Sequence, residues 1–296
     1  MVRPLPVLAL LVAFGAGSYW FVTRPAPAPD MGGLTGDAAK GEQIFWAGGC
    51  ASCHAAEGAT GEAKLVLAGG RAFPSDFGTF YAPNISPDPE AGIGDWSMSD
   101  LARAMQAGVS PDGRHYYPAF PYTSYQNADL QDLADLHAFM KTLPADSTAN
   151  RPHDVGFPFN IRRNLGGWKW LFTTEGWQVD GDLSDIEVRG RYLAEALGHC
   201  GECHTDRNGL GALDVDRWMA GAPNPTGEGR IPNITPAALD WSEADIAEYL
   251  NSGFTPDYDS AGGHMADVVE NTAKLPPEDR AAIAAYLKRL APVTNE

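Results

Sequence analysis

Hydrophobic residues recur at helical spacing near the end of each half of the chain. In both stretches the apolar positions lie three or four residues apart, so they share one face of a helix. The first stretch contains Leu130, Leu133, Leu136, Phe139 and Met140, and the second contains Ile283, Tyr286, Leu287 and Leu290. The pattern predicts an amphipathic helix that closes each half and packs against a core.

These two helices belong to a longer order of segments that occurs twice. The sequence Pro-Asn-Ile at 83–85 recurs at 232–234, and Asp-Trp-Ser at 95–97 recurs at 240–242. The offsets stay between 145 and 150 residues, which indicates a duplicated domain with small insertions. The predicted units are a first domain at 33–145, an inter-domain linker at 146–184 and a second domain at 185–293.

Each predicted domain is mostly helical. A helix is expected between Ser97 and Gly108, and another between Ser242 and Gly253, because serine is a typical helix N-cap and glycine a typical C-terminal stop. Loops rich in glycine and proline separate these helices from the terminal ones. The predicted fold class is therefore all-α.

The N-terminus carries an uncharged stretch of twenty residues, Pro4 to Thr23, between Arg3 and Arg24. An α-helix needs about twenty residues to cross the hydrocarbon core of a bilayer. Trp20 lies near the outer end, where interfacial aromatic residues are frequent. Residues 1–24 are therefore predicted to form an N-terminal membrane helix that serves as an anchor.

The proline-rich residues 25–32 are predicted to be a stiff, extended spacer between this segment and the first domain. The alternative to an anchor is a secretion signal that is removed, since residues 26–28 form an Ala-x-Ala pattern. Under either interpretation the remainder of the chain is exported.

The length of the chain fits two domains, and its charge narrows the possible partners. The chain has 296 residues, enough for two ordinary domains, and a formal net charge of −17. An acidic protein is repelled by the phosphates of nucleic acid, so a nucleic-acid partner is not expected. The charge favours a partner protein that carries a basic patch.

All four cysteines lie in two copies of one motif, Cys-x-x-Cys-His. The first copy joins Cys50, Cys53 and His54, and the second joins Cys200, Cys203 and His204. This is the motif that attaches haem c, because two thiols one helical turn apart can add to the two vinyl groups of a porphyrin. The adjacent histidine can then bind the iron as the proximal ligand. Two covalently bound haem c groups are predicted.

Three other uses of cysteine pairs fit less well. A structural zinc site would leave the histidine after each pair unexplained. A thioredoxin-like redox pair would require a βαβ context, which the pattern does not show. Two Cys-x-x-Cys disulfides are permitted in an exported protein, but they would not need histidine either.

The two halves resemble class I cytochrome c domains. Together they are similar to the dihaem cytochrome c family that is related to the cytochrome c subunits of membrane-bound alcohol and sugar dehydrogenases. Those subunits usually carry three haem domains, and this chain has two. The similarity rests on the stretches GRHYYPAFPY at 113–122, FPFNIR at 157–162, GHCGECHT at 198–205 and MADVVENT at 265–272.

The resemblance implies further haem contacts in both domains. Met265 matches the position of the sixth iron ligand, and its thioether would raise the reduction potential of the second haem; His264 is the nearest rival. The main-chain carbonyls of Pro83 and Pro232 are implied to accept a hydrogen bond from the proximal histidine of their own domain, which fixes the imidazole.

The first domain departs from this pattern, because Phe120 stands where relatives have the methionine ligand. Phenylalanine cannot bind iron. The first haem is therefore expected to have an open or water-bound site, or another ligand, and a different reduction potential from the second. The candidate ligands are His115, Tyr122, Tyr125, Met98 and Met105.

The predicted function is transfer of electrons between a dehydrogenase and the respiratory chain, through an oxidase or another cytochrome. The predicted location is the periplasmic side of the bacterial inner membrane. The alternative is a haem enzyme, similar to a dihaem peroxidase or a thiosulfate dehydrogenase, that reacts at the first haem. Three linker tryptophans are predicted to pack between the domains, or else to relay electrons: Trp168, Trp170 and Trp177.

Overall fold

The chain folds as two similar helical units joined by a linker, in the order that the repeat predicts. The computed structural model describes residues 4–174, 176–225 and 229–294. The first half contains helices α1 (Pro4–Val22), α2 (Ala38–Ala47), α3 (Cys50–His54), α4 (Met98–Ala107), α5 (Tyr122–Tyr125) and α6 (Leu130–Met140), with strands β1 (Ala72–Ser75) and β2 (Gly78–Tyr81). The domain boundaries given above stay predictions.

The linker contributes β3 (Asp154–Val155) and α7 (Asn164–Phe172), and the second half then repeats the order of the first. The second half contains α8 (Asp185–Arg191), α9 (Gly201–His204), β4 (Ala222–Pro223), β5 (Arg230–Ile231), α10 (Glu243–Ser252), α11 (His264–Thr272) and α12 (Pro277–Leu287). A π-helical segment, Tyr192–Leu197, continues α8, and short 3₁₀ turns occur at Gly61–Leu65 and Val215–Arg217.

The helices α4 and α10 begin and end where the sequence predicts. Ser97 caps α4 by accepting a hydrogen bond from the backbone N–H of Asp100, and Ser242 caps α10 in the same way. Both helices end at a glycine in the left-handed region, with φ of 58° at Gly108 and 77° at Gly253. Glycine adopts this conformation without the steric penalty of a Cβ atom.

In each half the helix that leads into the cysteine motif crosses the last helix at a glycine. A Cβ atom on Gly41 of α2 would lie 1.9 Å from the carbonyl oxygen of Asp135 in α6. A Cβ atom on Gly190 of α8 would lie 1.9 Å from the carbonyl oxygen of Ala282 in α12. Only glycine allows the two backbones to approach this closely, so the crossing is a feature of the duplicated unit.

One extra residue distinguishes the second crossing helix from the first. Gly41 lies nine positions before Cys50, whereas Gly190 lies ten positions before Cys200. The π-helical segment Tyr192–Leu197 accommodates the additional residue, because a π turn contains one more residue than an α turn. The cysteine motif therefore keeps the same position relative to the helix crossing in both halves.

The buried side-chain contacts at the two helix crossings differ: one is between aromatic rings and the other is a hydrogen bond. The rings of Phe45 and Phe139 are in contact in the first half, with centroids 5.3 Å apart. In the second half Tyr286 donates a hydrogen bond to the buried carboxylate of Glu195. Glu195 also accepts the backbone N–H of Gln178 at 2.8 Å, so this polar pair fastens the linker to the second domain.

The all-α prediction is wrong, because each half contains a small antiparallel sheet. Strands β1, β2 and β3 form one sheet, and β4 pairs with β5 in the other. Strands β1, β2, β4 and β5 lie between the cysteine motif and the Asp-Trp-Ser segment of their half, whereas β3 comes from the linker. Short strand pairs satisfy backbone hydrogen bonds there, which the helical periodicity of the neighbouring segments does not reveal.

The predicted N-terminal membrane helix is also wrong. Within the part of the chain that the structure describes, no helix is both long and apolar enough to cross a membrane. Helix α1 ends at Val22, and its last turn is tied to the linker: Arg163 donates to the Trp20 carbonyl at 2.9 Å and to the Thr23 hydroxyl at 2.8 Å. Arg3, the predicted N-terminal flank, lies outside the described residues.

Two of the three linker tryptophans pack between parts of the chain. Trp168 of α7 donates its indole N–H to the carbonyl of Leu210 at 2.9 Å, which joins the linker to the second half. The ring of Trp177 contacts that of Tyr192. Trp170 is exposed, so the packing prediction fails for it. The electron relay stays a prediction.

The glycines at the helix crossings provide a test of the duplicated core. Replacing Gly41 or Gly190 with alanine is expected to lower the free energy of unfolding by about 1–3 kcal/mol, because the added methyl group overlaps a carbonyl of the facing helix. Guanidinium unfolding followed by circular dichroism measures the change. The matched control is Gly209→Ala, where a Cβ atom meets nothing within 4 Å. Equal stabilities of the Gly41→Ala and Gly209→Ala proteins would contradict the close crossing.

Candidate haem-binding sites

Each cysteine motif forms a short helix directly after a sharp change of chain direction. The two cysteines of each motif lie about one turn apart: both belong to α3 in the first half, and in the second Cys200 is the N-cap residue of α9, which contains Cys203. The preceding residue is in the left-handed region in both halves, with φ of 60° at Gly49 and 41° at His199. The motifs thus begin with the same backbone conformation, although only the first uses glycine.

The histidine of each motif contacts a proline carbonyl from a distant loop. The Nδ1 atom of His54 lies 2.8 Å from the carbonyl oxygen of Pro83, and Nδ1 of His204 lies 2.8 Å from that of Pro232. A carbonyl can only accept, so Nδ1 carries the proton and Nε2 keeps its lone pair for a metal. Burial lowers the pKa of both histidines, although the proline carbonyls raise it, so the neutral ring is favoured.

An asparagine holds each proline carbonyl in place. Asn84 donates to the carbonyls of Asp146 at 2.7 Å and Thr148 at 3.0 Å, and its own side-chain oxygen accepts the backbone N–H of Ser86. Asn233 makes the corresponding bonds in the second half, to the Val293 carbonyl and from the Thr235 N–H. This role was not predicted from the sequence, although the repeated Pro-Asn-Ile was its signal.

The surroundings of the cysteines fit haem attachment better than the other uses considered. Burial raises the pKa of Cys50 and of Cys200 to about 12, whereas a redox-active pair needs a lowered pKa. Residues 4–174, 176–225 and 229–294 contain no cluster of three or more histidine, cysteine or acidic side chains that could hold a metal ion.

Met265 and Phe120 occupy equivalent places in the two halves. An isolated antiparallel bridge precedes each of them at the same spacing, in loops 109–115 and 254–260. Met265 lies at the start of α11, partly buried against the core. Phe120 is partly buried as well, and its ring contacts that of Tyr125. The second half thus offers a thioether where the first offers a hydrocarbon ring.

Both ring nitrogens of His115 have partners within the protein. Its Nε2 atom lies 3.0 Å from the carbonyl oxygen of Thr23, and its Nδ1 atom lies 3.2 Å from the ammonium group of Lys169. The side chain is buried by these contacts. His115 therefore connects the end of α1 to the linker, and this arrangement counts against it as an iron ligand.

The remaining candidate ligands have different environments. Tyr125 donates its hydroxyl to the carbonyl of Gly48 at 3.1 Å. The hydroxyl of Tyr122 is buried and has no hydrogen-bond partner among the described residues. Met105 is buried within the core on α4, and Met98 is partly buried against it. His264, the rival to Met265, is exposed, with Nδ1 3.3 Å from the Arg71 guanidinium.

Each cysteine motif is bound by a side chain from the opposite half. Ser52, inside the first motif, accepts a hydrogen bond from Asn271 of α11 at 2.7 Å. Glu202, at the equivalent position of the second motif, accepts one from Thr123 of α5 at 2.7 Å. Each motif is thus held by a helix of the other half, the first motif by α11 and the second by α5. Sequence reasoning missed these contacts, because they join residues far apart in the chain.

An arginine strengthens one side of this interface. Arg71 donates to the carbonyl of Ser52 and forms an ion pair with Asp267 of α11 at 3.3 Å. Burial is the main cause of the raised pKa of Cys53; Arg71 opposes it, and the nearby Cys203 of the second motif adds to it. The two cysteine motifs therefore lie near each other.

Comparison with known proteins agrees with this geometry. The family model for cytochrome c matches residues 38–144 and again 188–291. A diheme cytochrome c-type protein of Cereibacter sphaeroides is 64% identical over 285 residues, which cover 96% of each chain. The duplicated haem-binding unit therefore defines the class of protein, and the chain belongs to the cytochrome c family.

More distant relatives are subunits of larger enzymes. The fructose dehydrogenase cytochrome subunit of Gluconobacter japonicus is 36% identical over 97% of this chain. The cytochrome c subunit of a quinone-type alcohol dehydrogenase of Gluconobacter oxydans is 35% identical over 86% of it. This chain spans 59% and 55% of those two relatives.

The comparisons confirm two of the predictions made from the sequence. The chain is a dihaem cytochrome c with two covalently bound haem c groups, and it acts as an electron carrier rather than as an enzyme. When bound, haem c supplies an iron that alternates between the ferrous and ferric states. The protein residues hold, orient and tune it.

The asparagine that fixes each proline carbonyl can be tested separately in the two halves. Replacing Asn84 with alanine should loosen the Pro83 carbonyl and weaken the hydrogen bond from His54. A weaker hydrogen bond makes the imidazole a poorer electron donor to the iron, so the reduction potential of the first haem should rise. Spectroelectrochemical titration measures both potentials. Asn233→Ala should affect only the second haem, and equal shifts of both haems in either variant would contradict the assignment.

Proposed function

We propose that this protein is an exported electron carrier that accepts electrons from a periplasmic dehydrogenase and passes them to the respiratory chain. The similarity to the cytochrome subunits of fructose, gluconate and alcohol dehydrogenases supports a dehydrogenase as electron donor. The periplasmic location is supported by the uncharged N-terminal stretch, which has the composition of a secretion signal.

The assignment of residues follows the two motifs. Cys50 and Cys53 form thioether bonds to the first haem, and His54 is its proximal ligand. The main-chain carbonyl of Pro83 orients that histidine. The observation that carries this proposal is the 2.8 Å contact between Nδ1 and a proline carbonyl, repeated in both halves, because it directs Nε2 towards a metal.

The second site has the same arrangement and one further ligand. Cys200 and Cys203 attach the haem, His204 is the proximal ligand oriented by the Pro232 carbonyl, and Met265 is the sixth ligand. A thioether ligand favours the ferrous state and so raises the reduction potential. The first site has no thioether at the equivalent position, because Phe120 stands there. The second haem is therefore the one with the higher potential.

Exchanging these two side chains tests the assignment. A redox titration of the wild-type protein should give two separate one-electron steps, with a near-infrared sulfur-to-iron charge-transfer band that belongs to the higher one. Phe120→Met should raise the lower potential and strengthen this band, since a second thioether reaches iron. Met265→Phe should lower the upper potential and remove the band.

Two results would contradict the proposal. One is a band that survives in Met265→Phe, which would assign the sulfur ligand to another methionine. The other is turnover of peroxide or thiosulfate by the wild-type protein, which would indicate catalysis at the first haem. A carrier is expected to remain inert towards both compounds.

A further inference from the structure

One loop is built in the same way in both halves but has different surroundings. We call residues 109–115 the first bridge loop and residues 254–260 the second bridge loop. An antiparallel bridge joins the ends of each loop, and each lies just before the position of the sixth ligand. The two loops are separated by 145 residues throughout, so they can be compared residue by residue.

The chain itself covers the two ends of the first bridge loop, although Asp112 and Arg114 at its tip are exposed. Val109 is 1% exposed and His115 is 3% exposed. Lys169 of the linker helix donates to the carbonyls of Ala107 and Gly108, at 2.6 and 2.7 Å, where α4 runs into the loop. The ends of this loop are therefore already occupied by intramolecular contacts.

The second bridge loop, by contrast, faces outwards. The side chain of Phe254 is 57% exposed and that of Tyr258 is 91% exposed. The carboxylates of Asp257 and Asp259 lie on either side of Tyr258 and are exposed as well. An aromatic centre flanked by charges is a frequent composition of protein interfaces.

The charge of the loop also differs between the halves. In the first bridge loop Asp112 is neutralised by an ion pair with Arg114 at 2.6 Å. The residue equivalent to Arg114 is Asp259, so the second bridge loop carries two carboxylates in place of an ion pair. The complementary surface of a partner would be basic.

Tyr258 occupies a backbone conformation that favours glycine. Its φ is 65°, and the equivalent residue of the first bridge loop, Gly113, has a φ of 80°. A bulky side chain is strained in this region of the Ramachandran plot. Strained residues of this kind cluster at functional sites, where the surrounding structure holds them in place. The folded structure therefore holds Tyr258 in a strained backbone conformation in which its ring is exposed.

We propose that the second bridge loop is the docking surface through which the second haem site exchanges electrons with a basic redox protein. The loop ends five residues before Met265, so a partner seated on it lies next to that site. The inference rests on the proposed electron-carrier function. The carboxylates steer the partner during approach, and Tyr258 with Phe254 forms the apolar centre of the contact.

The charge contribution is tested with a defined basic probe, a mitochondrial-type cytochrome c. In stopped-flow experiments one electron leaves the reduced protein and the ferric iron of the probe becomes ferrous. In Asp257→Asn/Asp259→Asn the association rate at low ionic strength should fall about fivefold, and it should approach the wild-type rate at high salt. Glu90→Gln/Asp112→Asn is the matched control, since it removes two exposed carboxylates from the first half.

The aromatic contribution is tested with a variant that is expected to fold better than the wild type. Tyr258→Gly introduces the residue that the first bridge loop has at this position, so the melting temperature of the haem-loaded protein should rise. Its affinity for the oxidised probe, measured by calorimetry with both proteins oxidised, should fall about tenfold at both low and high salt.

The outcomes separate the docking surface from the carrier function. Oxidation by ferricyanide should remove two electrons per chain from every variant, and failure of this control would contradict the carrier function. If it succeeds while both second-loop variants bind the probe as the wild type does, the docking surface is wrong. An equal loss in the Glu90→Gln/Asp112→Asn control would also overturn it, because the effect would then reflect net charge alone.

Discussion

The hydrogen bond from each motif histidine to a proline carbonyl joins parts of the chain that are remote in sequence. It links the helix that carries the cysteines to the Pro-Asn-Ile loop, and the asparagine of that loop binds the segment that follows the last helix of its half. In the first half this chain of contacts runs from His54 through Pro83 and Asn84 to Asp146. The orientation of the imidazole, and hence the position of a bound iron, depends on the whole domain being folded.

Duplication of this unit produced two sites that then diverged at a few positions. The helix crossings at Gly41 and Gly190 keep the same close approach. The position that the proposed function assigns to the sixth ligand holds a thioether at Met265 and a ring at Phe120. The bridge loops differ as well, since the ends of the first are buried, whereas Phe254 and Tyr258 of the second are exposed. Under the proposed function, the first difference separates the potentials of the two haems, and the second separates their access to partners.

The interface between the halves combines polar contacts with apolar packing, since one hydrophobic cluster contains buried residues of both halves. Ser52 and Glu202 are the variable residues inside the motifs, and each binds a side chain from the opposite half. An unpaired buried donor or acceptor would destabilise the contact, so the pairing fixes the relative orientation of the two motifs. Electron transfer between two centres in one protein depends on such a fixed relation.

Local signals in the sequence predicted much of this structure. The cysteine motifs, the repeat and the caps at Ser97 and Ser242 depend on neighbouring residues, so they could be recognised directly. The small sheets could not, since their strands are only two to four residues long and lack a clear alternation. The partners of His115 could not be predicted either, because they come from the N-terminal segment and the linker. The uncharged stretch at the N-terminus had the length of a membrane helix, but length and lack of charge do not establish sufficient hydropathy.

The central claim is that each half holds one haem through thioether bonds. The most direct measurement is the mass of the denatured polypeptide, from which any non-covalent cofactor has dissociated. The account predicts a mass that exceeds that of the polypeptide by two haems. A mass equal to the bare polypeptide, or larger by only one haem, would contradict it.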